Sequence, residues 1–227
     1  MAKPITDRPI YTFTRYVYYF FIINLYFFLS NILFFIVFYA AEFVFENILL
    51  FYVTLIPMGP SIVAVLATMG KLIREGEVNP TSEYFKTYKM NVLPALKYWL
   101  IQLTIMLILS VDIFYSVNRS NIFSPLFLIL LIVCLFIMSY AFPIISRFEV
   151  KIKNVFLIAI YANFKFPKAT LLNISTLAAF GFIYYHVPGL STLFIVSLTG
   201  FFLMYNLQQP FAYMEAEMSR TEQGEES

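Results

Sequence analysis

From Tyr16 to Ala41 the sequence runs for 26 residues without a formal charge, and from Asn47 to Gly70 it runs for another 24. A helix rising 1.5 Å per residue needs roughly 20 apolar residues to cross the hydrocarbon core of a bilayer. Water is a poor solvent for such runs. Across the chain 61% of residues are hydrophobic and 12% are charged, whereas soluble domains carry roughly 45–50% apolar and about 25% charged residues. The fold class that follows is all-α, a polytopic transmembrane helical bundle.

Four further runs complete a six-span reading. They cover about Tyr98–Asn118, Ile122–Ser146, Ala169–Tyr185 and Leu190–Leu207. The link Glu42-Phe43-Val44-Phe45-Glu46 is tight enough to make the first two spans an antiparallel hairpin, and His186-Val187-Pro188-Gly189 punctuates the last two. Residues 1–210 thus read as one transmembrane domain, and 211–227 as an acidic, solvated cytoplasmic tail. The start, Met1 to Pro9, is polar and lacks the form of a cleaved signal, so the N-terminus is expected to be retained.

Cationic residues near span ends favour the cytoplasm. With the N-terminus inside, fourteen of the fifteen Lys and Arg residues fall on the cytoplasmic side and only Arg119 falls outside. Both termini are therefore expected in the cytoplasm. Cytoplasmic loop two, Lys71–Lys97, holds Asn79-Pro80-Thr81-Ser82-Glu83, a helix start. In the helix that follows, Tyr84, Phe85 and Tyr88 fall on one side, with Lys86 and Lys89 flanking it. That pattern suits a short interfacial helix that docks on anionic lipid or on a cytoplasmic partner. Loop four repeats the rhythm in Asn154–Phe164, apolar between lysines, as an interfacial helix or a bent extension of span five. Tyr88 precedes Pro94 by six residues and Tyr161 precedes Pro167 by six, each proline opening a span, a hint of two related halves.

Span two contains Pro57-Met58-Gly59-Pro60. Two prolines three residues apart kink or break a helix, and the freed carbonyls must find partners or line a cavity. A substrate cavity or hinge and a packing kink both remain open for this site, and Pro143 in span four poses the same choice. Asp112 is the only formal charge well inside a span. Arg119, two turns on, is its expected partner; a proton or cation site and a partner contact are the alternatives. Asn24, Asn31, Gln102 and Asn173 are expected to hydrogen-bond between helices.

No chemistry of catalysis is visible. One His and one Cys, Cys134, exclude a Cys/His zinc site, and no nucleophile–base set or Gly-rich phosphate loop occurs. No cofactor, no nucleic-acid partner and no enzyme activity are expected; the lipid bilayer is the expected partner.

The run Leu55-Ile56-Pro57-Met58-Gly59-Pro60-Ser61-Ile62-Val63-Ala64-Val65-Leu66 resembles the span-two signature of the YesL-like family of bacterial membrane proteins (domain of unknown function six-two-four). Gly76-Glu77, Tyr84-Phe85-Lys86-Thr87-Tyr88-Lys89-Met90-Asn91 and Ala141-Phe142-Pro143-Ile144-Ile145-Ser146-Arg147-Phe148 extend the resemblance over residues 12–210. Ser61 stands where the family often has Ala, and the family's span-one tryptophan is missing. The resemblance implies a bacterial plasma-membrane protein with an accessory or regulatory role beside carbohydrate (ABC-type) uptake. Transporter subunits or a membrane sensor are the partners it implies, and it transfers no catalytic residue. The alternative is a small transporter or channel subunit built on the broken second span and Asp112.

Overall fold

The computed structural model describes residues 9–118 and 123–225, and among these every regular element is helical. Two helices are long and apolar enough to cross a membrane alone, α5 (Pro80–Asn118) and α6 (Ser124–Arg147). Three further pairs qualify only as bent spans. They are α1 (Pro9–Ser30) with α2 (Ile32–Ala40) at 69°, α3 (Ile48–Thr54) with α4 (Met58–Glu75) at 48°, and α7 (Ile152–Lys165) with α8 (Pro167–His186) at 98°. Counting each pair as one span gives up to five. Leu190–Leu207, expected as a sixth span, is instead α9 (Pro188–Ser191), a turn, and α10 (Ile195–Asn206). The 12 residues of α10 rise only about 18 Å, short of the hydrocarbon thickness.

The outer surface is that of a protein solvated by hydrocarbon. Leu33, Ile36 and Phe38 on α2, Leu128 and Ile129 on α6, and Leu171 and Phe182 on α8 are all exposed. Such a continuous apolar exterior on a water-soluble chain would be an aggregation surface.

The core forms around α4. Gly59, Ala64, Ala67 and Gly70 let neighbouring backbones come close, so α4 is buried along most of its length and packs chiefly against α5, α10 and α6. A Cβ added at Gly200 of α10 would stand 2.9 Å from a Val65 methyl, so only glycine permits that crossing. The helix closes at Gly76, whose φ of 74° is left-handed and whose N–H reaches the Leu72 carbonyl.

Four expectations change. Residues 80–97 do not form a separate loop helix; they are the first half of α5, which runs unbroken through Pro94 to Asn118. Proline there costs the Met90 carbonyl its i+4 donor, and Met90 is exposed. Pro167 behaves differently: Phe166, before it, leaves the helical region at φ −117°, ψ 61°, and α8 departs at nearly a right angle to α7. The two Tyr–Pro spacings thus have different structures. Asn31 does not reach a distant helix; standing at the bend between α1 and α2, its Nδ2 donates 2.7 Å to the Phe27 carbonyl four residues back in α1. The tail is not simply solvated: Phe211, in the first turn of α11 (Gln208–Glu225), is fully buried.

Candidate functional site

The break in the second span is built from missing donors. Pro57 has no N–H for the Val53 carbonyl, which instead takes the Ile56 N–H at 3.3 Å. The Leu55 carbonyl accepts the Met58 N–H at 3.0 Å. Its second acceptor position is filled from another helix: the indole Nε1 of Trp99 on α5 donates to it at 2.8 Å. Ser61 completes the turn, its backbone N–H and its Oγ both donating to the Pro57 carbonyl at 3.3 and 2.8 Å. The Val53, Leu55 and Pro57 carbonyls thus find protein partners, as a backbone out of reach of water requires.

Gly59 sits at the closest point. A Cβ there would lie 2.4 Å from Trp99 Cβ and 2.5 Å from Cγ. Trp99 is 4% exposed and its ring lies 5.7 Å from that of Phe142. The volume a bent helix would otherwise open is filled by an indole. At the kink the indole packs against Gly59, and the Val53, Leu55 and Pro57 carbonyls each have a protein partner.

Pro143 has a different setting. It borders an apolar crevice of about 390 Å³ between α4, α6, α8 and α10, lined by Leu66, Leu135, Phe142, Leu177 and Leu203 among others. A second crevice of about 790 Å³, lined by Phe45, Tyr52, Leu103 and Ser110, lies between the α3 region and α5. Asp112 is half-buried in the last two turns of α5, outside both linings. Arg119, its expected partner, lies outside the described residues.

The five residues expected on one docking face divide. Tyr84 is fully buried against α1 and α4, its OH donating to Ser30 Oγ at 3.0 Å. Tyr88 is half-buried in the same cluster. Phe85, Lys86 and Lys89 are exposed, and Met90, Leu93 and Lys97 extend them along the outside of α5. Helical spacing puts Lys86, Lys89, Leu93 and Lys97 on one stripe. The aromatic pair that looked outward from the sequence is what fastens α5 inward.

Ion pairs tie the same end of the bundle together. Lys71 Nζ lies 2.7 Å from Glu83 and 3.9 Å from Glu75, and Arg15 pairs with Glu77. Neither these ion pairs nor the role of Trp99 has a local signature in the sequence. Trp99 is the only tryptophan of the chain, and its ring packs where a Cβ on Gly59 would stand.

Three polar residues act as predicted. Asn24 of α1 spans the break between α9 and α10, donating 2.7 Å to the Thr192 carbonyl and accepting the Val196 N–H at 3.1 Å. Gln102 Nε2 donates 3.2 Å to the Cys134 carbonyl of α6. Asn173 accepts from Asn206 Nδ2 at 3.2 Å, joining α8 to α10.

No curated protein and no solved structure matches the chain. The match to a family model ends before the third resembling motif, Ala141–Phe148, and it contains the break, Trp99 and the basic stripe of α5. Residues 20–113 match the family described as "Protein of unknown function, DUF624", the family that the span-two and loop-two motifs resemble.

Proposed function

We propose that this protein is an accessory or regulatory membrane component of bacterial carbohydrate (ABC-type) uptake, acting through protein contacts and without catalysis of its own. The observation that supports the reading is the filled break: Trp99 packs on Gly59 and donates to the Leu55 carbonyl, in the kind of place where broken-helix transporters hold substrate. The transporter alternative loses its main support there. The exposed stripe Lys86, Lys89, Leu93 and Lys97, with Phe85 and Met90 beside it, supplies a face that combines charge with apolar area. That combination suits a partner with an acidic rim and an apolar centre.

The test is co-purification from the native host in mild detergent. Transporter subunits or a sensor kinase should be recovered with the wild-type chain and reduced about tenfold or more with Lys86→Glu/Lys89→Glu/Lys97→Glu, since reversing rim charges weakens encounter and register. Repeated recovery of the chain alone would overturn the reading.

We also place both termini and the Lys71–Lys97 segment in the cytoplasm of a plasma-membrane protein, with α9 and α10 together returning the chain as a short sixth crossing, and the cationic asymmetry supports this. A single cysteine introduced at Lys89 should resist a membrane-impermeant maleimide in intact cells and react after permeabilisation. Labelling of intact cells would invert the topology.

A further inference from the structure

The C-terminal helix α11 is seated on a surface made by the ends of other helices, and the fit is chemically specific. Phe211, Met214, Glu215 and Met218 recur at i, i+3, i+4 and i+7 and so share one face of α11. Phe211 is fully buried, its ring 5.6 Å from Phe148 in an edge-on arrangement. Arg147, at the end of α6, covers the same ring, its guanidinium carbon 5.0 Å from the centroid. The guanidinium also grips Glu215, with Nη2 at 2.7 Å and Nε at 2.9 Å from one carboxylate oxygen. Lys165, at the end of α7, places Nζ 3.7 Å from the Tyr213 ring centroid while donating to Tyr161 OH at 2.7 Å.

The seat is incompletely filled. An apolar gap of about 200 Å³ remains under α11, bordered by Ile144, Phe148, Ile158 and Phe166 from the seat and by Met214 and Met218 from the helix. Beyond Met218 the helix carries Ser219, Arg220, Thr221, Glu222, Gln223 and Gly224, a polar stretch with no apolar anchor. Besides the buried Phe211, the Met214 packing and the Phe166 ring against Tyr213, α11 is held by an exposed-side ion pair and two cation–ring contacts, and each of these charged contacts is of the order of 1 kcal/mol or less at a partly wet site.

We propose that this seat is a receptor for an acidic amphipathic helix, that the chain's own α11 occupies it in the resting state, and that a partner helix of the same pattern displaces it. The pattern is an aromatic residue, an apolar residue three on, a carboxylate four on and an apolar residue seven on. The seated tail shows what fits, and the charge of Arg147 and Lys165 selects an acidic helix over a basic one. The partner half of this inference rests on the accessory reading above; the receptor half does not.

The experiment uses the full chain in nanodiscs and a fluorescent synthetic peptide of residues 208–225. The chain carrying Phe211→Ala/Glu215→Lys, whose own helix has lost its anchor and its charge, should bind the peptide about tenfold more tightly than the wild type, where the tethered helix competes at roughly millimolar effective concentration. Adding Arg147→Glu should abolish that binding. Equal binding to unlatched and wild-type chains, no binding to either, or binding indifferent to Arg147→Glu would each overturn the receptor. Should the unlatched variant fail to fold, hydrogen exchange on the wild type decides: excess peptide should speed exchange across residues 208–225 and leave α4 unchanged, and unaltered exchange would overturn the proposal. Because no partner enters either assay, their failure is distinguishable from a failed co-purification.

Discussion

Trp99→Ala should destabilise the bundle by about 3–5 kcal/mol, the usual loss for deleting a large aromatic from a packed core. The side chain is 4% exposed, lies against Gly59 and Phe142, and supplies a donor to the Leu55 carbonyl at the break. Two smaller changes separate these roles. Trp99→Phe keeps most of the filling volume and removes the hydrogen bond, for a loss of about 1–3 kcal/mol from the carbonyl left short of a partner. Gly59→Ala keeps the tryptophan and adds a methyl where there is no space, for a similar loss through overpacking. Thermal unfolding of detergent-solubilised protein, followed by size-exclusion recovery, reads all three. If Trp99→Ala unfolded at the wild-type temperature, the break would not depend on the indole. Were Trp99→Ala also to open an ion or sugar flux in proteoliposomes, the filled break would be a closed gate and the accessory reading would fall.

Asn24→Leu should be the second large effect, at about 1–3 kcal/mol. Its side chain both donates to Thr192 and accepts from Val196, so the apolar replacement leaves a carbonyl and an N–H of one helix break without their partner. Single interhelical hydrogen bonds in membranes average only about 0.6 kcal/mol, because the alternative state finds other partners. Two bonds from one buried side chain to a fixed break are expected to exceed that average. Asn31→Leu is the internal comparison. Asn31 is equally buried, but its Nδ2 serves a carbonyl four residues back in its own helix and its Oδ1 has no partner among the described residues. The loss there should be smaller. The same thermal assay decides, and equal losses would mean that the α9–α10 break is held by packing and not by Asn24.

The two effects share a cause. The α3–α4 and α9–α10 links are each interrupted, and each interruption is closed by one polar side chain from a neighbouring helix. Trp99 does it with a donor, Asn24 with a donor and an acceptor. Neither pairing has a local sequence signature, since the partners are 44 and 168–172 residues apart.

Much of the fold was nevertheless legible in the chain. Long uncharged runs dictate helices, because only intra-segment hydrogen bonds satisfy a backbone in hydrocarbon. The prolines at 57 and 60 mark an interruption, because two lost donors fall within one turn, whereas Pro94, alone, leaves α5 continuous. Small residues along α4 dictate a close-packed centre. What local rules left open was the geometry between helices. Whether an interrupted helix lines a cavity or receives an indole depends on which side chain lies across from Gly59, and that is a property of the packed bundle. Whether Tyr84 faces lipid or protein depends on where α1 passes, since an aromatic–basic pattern reads the same either way. Pro94 and Pro167 share a spacing, yet one sits inside a continuous helix and the other turns the chain by 98°. Periodicity and backbone chemistry act along the chain and belong to the sequence by itself; which faces meet is a matter of complementary shape across residues far apart, and only the tertiary structure decides it.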